Sequence, residues 1–134
     1  MKNEKLYQKT VDILVQAYFN DTLEHTKCHA CVVGNLCGGK SAWSEVFMTA
    51  WGEQTLVKSR YVGEAKKQID GTGYSLKQLM KIEFAFETAD EGDSQDEWMF
   101  NGLMAVIDVL DKIHENKNEQ LTIQSKNKFI KQIV

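Results

Sequence analysis

The chain has 134 residues, 43% of them hydrophobic and 26% charged, with a net charge of -3. That length suits one domain with a core large enough to fold without a metal or a disulfide. No run of about 18 apolar residues offers a membrane span, and the mild acidity argues against a nucleic-acid binder.

Met1–Lys5 leads into an amphipathic pattern rather than a continuous apolar run, so no signal peptide is expected. Asn3 to Asn20 reads as a helix. Tyr7, Val11, Leu14 and Tyr18 recur every three or four residues, and Asn3 is a suitable N-cap. Cys28 to Leu36 fits either a short buried helix or a short strand, broken by Gly38-Gly39. Ala42 to Trp51 is expected to be a helix capped by Ser41, with Trp43, Phe47 and Trp51 on one core-facing side.

Thr55–Ser59 is a candidate strand, and Tyr61–Ile69 a candidate helix closed by Gly71 and Gly73. Ser75 caps a clear helix running to Thr88. Ser94 starts another that reaches about Glu115; it is apolar nearly all round and so expected at the centre of the fold. In the tail from Glu119 to Val134, Leu121 and Ile123 alternate like a short strand. Phe129, Ile130, Ile133 and Val134 form an amphipathic end opposite Lys126, Lys128 and Lys131. The absence of proline removes the strongest helix breaker. The expected fold is all-α: residues 1–134 as a single compact, bundle-like domain of about six helices, with one or two short strand pieces.

Charge is unevenly placed. Nine acidic residues and no lysine or arginine lie between Glu83 and Asp111, and five lysines follow from Lys112 onward. The three cysteines, Cys28, Cys31 and Cys37, crowd into ten positions. An odd, crowded set is a poor disulfide framework and fits a reducing compartment, hence the cytoplasm.

Three constellations carry chemistry. His25, Cys28, Cys31 and Cys37 have the residue types of a tetrahedral zinc site, since two thiolates at Cys-x-x-Cys spacing can share one ion. The usual second knuckle is missing, and Cys31 and Cys37 are equally suited to the core. Gly34 to Ser41 matches a phosphate loop, in which glycine amides wrap phosphates, Lys40 neutralises them and Ser41 meets magnesium. The chain lacks the alternating strand–helix units that such a loop belongs to. Glu83 and Glu87 lie four apart on one helix face, and Asp111-x-x-His114 resembles one Glu-x-x-His ligand pair of helical di-iron proteins, which need two such pairs and two further glutamates. The competing reading places Asp111 and His114 on a solvent-facing last turn.

The segments Cys31–Leu36, Ile82–Thr88 and Met99–Asp108 resemble small uncharacterised proteins of Bacteroidetes and their phages. The resemblance implies a cytoplasmic protein from a mobile element, and it carries over no fold, activity or site. It directs attention to Glu83, Glu87, Asn101 and Asp108 as a candidate shared pocket.

No nucleophile–base–orienter set is legible, and Arg60 is the only arginine. The leading expectation is a small cytosolic, non-enzymatic binding or regulatory protein acting through a protein partner, with no cofactor. The Phe129–Val134 end is the candidate docking element. The alternatives are a zinc-binding protein using the His25–Cys37 cluster, or an enzyme. The enzyme would be nucleotide-dependent through Gly34–Ser41, or metal-dependent through Glu83, Glu87, Asp111 and His114. Oligomeric state is not assigned from sequence.

Overall fold

The computed structural model describes residues 1–24, 31–38, 42–50 and 53–130. Seven α-helices and one strand pair occur among the described residues. Helix α1 spans Glu4–Phe19, and Asn3 caps it by accepting the Leu6 N–H at 3.2 Å. Its buried side, Tyr7, Thr10, Val11, Leu14, Ala17 and Tyr18, is the stripe expected from the three- and four-residue spacing.

Helix α2, Val32–Leu36, resolves the helix-or-strand choice in favour of helix. Helix α3 covers only Ala42–Glu45. Strands β1 (Phe47–Ala50) and β2 (Glu53–Leu56) follow as an antiparallel hairpin, with Phe47 opposite Leu56. The helix expected to reach Trp51 therefore ends early. The run Val46-Phe47-Met48-Thr49 is β-branched or long and prefers a pleated surface. The Val57 N–H then bonds the Val46 carbonyl at 2.8 Å, continuing the pairing. Trp43 and Phe47 still touch, edge to face with ring centroids 4.5 Å apart, but across a helix–strand junction. Trp51 lies outside the described residues.

A 3-10 turn at Lys58–Arg60 leads to α4, Gly63–Asp70. Helix α5, Leu76–Glu87, begins with a full capping box. Ser75 Oγ takes the Gln78 N–H, and Gln78 Oε1 takes the Ser75 N–H. Helix α6, Gln95–Ile113, is capped by Ser94, with Asp96 and Glu97 in its first turn, where the helix dipole favours them. Helix α7, Glu119–Asn127, replaces the strand expected around Leu121 and Ile123. Asn118 Oδ1 accepts the N–H groups of Gln120 and Leu121, which commits the chain to a helical start.

α5 and α6 pack as an antiparallel pair. Tyr74, just before α5, meets His114 at the end of α6, and Phe86 near the end of α5 meets Gly102 early in α6. Leu79, Ile82, Phe86, Leu103, Val106, Ile107 and Leu110 are fully buried in one core that reaches from Tyr7 to Phe129. Each such side chain contributes about 1.5–3 kcal/mol by leaving water. α6 contacts α1, α5 and α7, the central place its apolar surround implies. No helix among the described residues is long and apolar enough to cross a membrane.

Candidate functional site

Cys31 and Cys37 are buried, one at each end of α2. Cys31 is the N-cap, its sulfur accepting the Gly34 N–H at 3.3 Å, and Cys37 is the C-cap. Six residues of helix put them about 9 Å apart along the axis. Two thiolates on one zinc lie about 4 Å apart, given Zn–S bonds near 2.3 Å. With α2 folded, the two sulfurs cannot share an ion. Burial also pushes the Cys37 thiol up to about 11. His25 and Cys28 lie outside the described residues, and no group of three metal-binding side chains occurs among those described.

Gly34 sits inside α2, where its amide is used by Cys31. A phosphate loop needs that stretch as a strand end followed by open amides. Gly39, Lys40 and Ser41 lie outside the described residues. Asp108, which imitates a magnesium-binding aspartate in sequence, is mid-helix and pairs with Lys126 at 2.8 Å.

The carboxylates and His114 divide into two places. Glu83 is buried and accepts the Val33 N–H at 3.1 Å, tying α5 to the first turn of α2. Glu87 is half-buried beside it. Burial first, then the hydrogen bond and charge of Glu83, push the Glu87 carboxyl up to about 8, so Glu87 keeps its proton at neutral pH. Asp111 and His114 lie toward the other end of the α5–α6 pair, about 9 Å (Glu83 to Asp111) to about 18 Å (Glu87 to His114) away along the helix axes. The Glu83, Glu87, Asp111 and His114 set is therefore not one site. Of the candidate pocket, Glu83 and Glu87 meet, while Asn101 donates to the Asp90 carbonyl at 3.0 Å and Asp108 faces α7.

His114 is buried, 3% exposed, rather than on a solvent-facing turn. Its Nδ1 is 2.6 Å from the Lys2 carbonyl and its Nε2 is 2.8 Å from the Tyr74 hydroxyl. A carbonyl only accepts, so Nδ1 carries the hydrogen and the neutral ring takes the Tyr74 proton at Nε2. The Tyr74 oxygen is in turn 2.8 Å from Thr10 Oγ1. Burial holds His114 below its ordinary value and pushes the Tyr74 phenol up to about 12, so both stay neutral at pH 7.

One turn away the Tyr7 hydroxyl donates to Asp111 at 2.7 Å. The same carboxylate accepts from Asn116 at 3.0 Å and Thr122 at 2.6 Å. These bonds fasten α1, α6 and α7 together. Tyr7, Thr10, Tyr74 and Thr122 were not legible as a group from sequence. Their signal was only that each is a polar-tipped residue bordering an apolar stripe.

A cleft of about 400 Å³ opens beside this network, lined by Lys2, Glu4, Tyr7, His114, Lys117 and Leu121 among others. Its inward-facing polar atoms on Tyr7 and His114 are already bonded within the chain.

The outer face of α5 differs in kind. Lys77, Met80, Lys81 and Phe84 fall within about 100° of helix arc. Phe84 is 69% exposed and Met80 43%. Among the described residues neither lysine has an ion pair, and no side chain covers the Phe84 ring. Phe129, in contrast, is fully buried with its ring against Tyr18, so that part of the expected docking tail is core. Residues 131–134 lie outside the described residues.

No protein-family model, curated protein or solved structure matches this chain.

Proposed function

We propose that this chain is a small cytosolic, non-enzymatic binding or regulatory protein that acts through a protein partner, and that the outer face of α5 is the surface that meets it. The observation that carries this reading is Phe84, a phenyl ring left 69% exposed on the regular helix α5 and accompanied one turn away by Met80. Aromatic and methionine side chains are the residues that interfaces concentrate, and lysines at the rim give orientation. The reactive side chains fit the same reading. Cys31, Glu83, Asp111 and His114 each hold backbone or side chains of this chain in place.

Site-specific photocrosslinking tests it. A photoreactive phenylalanine analogue at position 84 is expected to yield a discrete protein adduct in cells. The same analogue at exposed Gln120 is expected to yield none. Identical, diffuse products at both positions would remove the α5 face from consideration.

A further inference from the structure

We infer that the occupant of this α5 face is a short acidic segment of another protein, one that sets an apolar side chain beside Phe84 and carboxylates against Lys77 and Lys81. The inference rests on the reading of α5 as the docking face, and adds the chemistry of the partner.

The observation behind it is where the two lysines stand. Lys77 is the second residue of α5, in a first turn that holds no acid. The helix dipole disfavours a cation there. Lys81 follows four residues on, along the same exposed face, and like charges at that spacing repel. The other helix positions three and four away from them, Gln78, Met80, Phe84 and Ala85, carry no carboxylate. Elsewhere in the chain Lys66 pairs with Asp70 at 2.6 Å, Lys126 with Asp108 at 2.8 Å and Lys128 with Asp12 at 3.3 Å. Among the described residues neither Lys77 nor Lys81 has such a partner. Both lysines are thus unfavourably placed within the monomer, and carboxylates from outside relieve the dipole and the repulsion together.

The apolar side chains lie within the same reach. Lys77 to Phe84 spans about 10 Å along α5, with Met80 and Lys81 between them. One exposed ring and one methionine fall far short of the roughly 800 Å² per partner of a stable interface between folded domains, so the occupant is a short segment. The field of the net charge of -3 is screened beyond about 8 Å at physiological salt. The two lysines, about 6 Å apart along α5, therefore decide which charge meets Phe84. A basic segment is repelled there, and an uncharged one leaves the lysines as they are. Two lysines on one short helix are too few to hold an anionic membrane.

Fluorescence polarisation of the full chain tests it, with a short labelled peptide that sets leucine and phenylalanine among aspartates. A twin peptide carries lysines in place of the aspartates. Wild type is expected to bind the aspartate peptide with a Kd of about 10–100 µM, and the lysine peptide about tenfold or more weakly. Phe84→Ser should weaken the aspartate peptide by about tenfold, and Lys77→Glu/Lys81→Glu should reverse the preference between the two peptides. Lys77→Glu alone should raise Tm by about 1–3 °C while weakening the aspartate peptide, because it suits the first turn and removes a cation that the partner uses. All these positions are exposed, and unchanged circular dichroism confirms that the variants fold. Failure to bind the aspartate peptide overturns the inference, as does equal binding of both peptides. Binding to phosphatidylserine vesicles in place of the peptide overturns it in favour of a membrane. If position 84 then still crosslinks to a discrete protein in cells, the broader reading stands and only the acidic chemistry is lost. If it crosslinks to nothing, both fail.

Discussion

Gly102 of α6 lies against the ring of Phe86 in α5, so closely that a Cβ on the glycine would sit 2.6 Å from Phe86 Cδ1 and 3.0 Å from the Phe86 carbonyl oxygen. Glycine inside a helix costs about 1 kcal/mol relative to alanine. The close approach of the two central helices offsets that cost. Gly102→Ala is expected to destabilise the fold by about 1–3 kcal/mol, since the fully buried ring has nowhere to retreat. Urea denaturation measures it, and Phe86→Leu in the same chain should recover part of the loss. An alanine variant more stable than wild type would mean that the helices separate freely.

The Glu83–Glu87 pair makes stability fall as pH rises. The folded Glu87 carboxyl is raised from an ordinary 4.5 to about 8, by burial and by Glu83. Between those values the folded chain keeps a proton that the unfolded chain releases. The contribution is complete below about 4.5 and lost as pH climbs through about 8. Glu87→Gln fixes the neutral form. Its Tm should match wild type near pH 5 and exceed it near pH 8.5. Solvent reaching this half-buried group limits the gain to about 1–2 kcal/mol. Parallel pH profiles for the two proteins would refute the proton held on Glu87.

His114 acts in the opposite direction. Burial lowers its pKa, so the folded ring resists a proton that the unfolded ring accepts. The stability it contributes is present above about 6.5 and is lost as pH falls below that value. An NMR titration of the His114 ring should have its midpoint below 6.5. Tyr74→Phe removes the hydroxyl between His114 and Thr10 and leaves the buried His114 Nε2 without its donor, while Thr10 Oγ1 keeps the Leu6 carbonyl. The expected cost at pH 7 is about 1–3 kcal/mol by chemical denaturation. A neutral substitution would show that water replaces the phenol.

Native thiol labelling separates structural cysteines from ligands. Cys31 and Cys37 are buried, and the Cys37 thiol is held near 11, far from thiolate at pH 8. Peptide mapping after a short exposure to an alkylating reagent should find both unmodified, and fully modified in urea. Elemental analysis on the same sample should find no zinc that protects them. Stoichiometric zinc released together with Cys31 and Cys37 reactivity would require α2 to unwind around the ion.

Helix starts were the most legible part of the sequence. Asn3, Ser75 and Ser94 each cap the helix that their position announces, because a short oxygen-bearing side chain before an amphipathic run has one dominant local use. The all-α class followed from the same periodicity. The β1–β2 hairpin was missed because Trp43 and Phe47 satisfy helical spacing while the backbone between them changes state. The α7 region failed in the reverse sense. Leu121 and Ile123 alternate, yet Asn118 and the Thr122–Asp111 bond impose a helix. The Glu83–Glu87 pair was visible as a spacing of four. Its link to Val33 was not, since no local pattern says which distant amide a buried carboxylate will meet.

The anchoring of α2 bears on the order in which the chain folds. A five-residue helix is too short to persist alone, and here its first-turn amides are held by the Cys31 sulfur and by Glu83 from α5. It can form only after α5 has a place to stand. Weakening α2 should therefore speed unfolding while leaving the refolding rate almost untouched. Its amides should exchange with solvent through partial opening, well before those of α6.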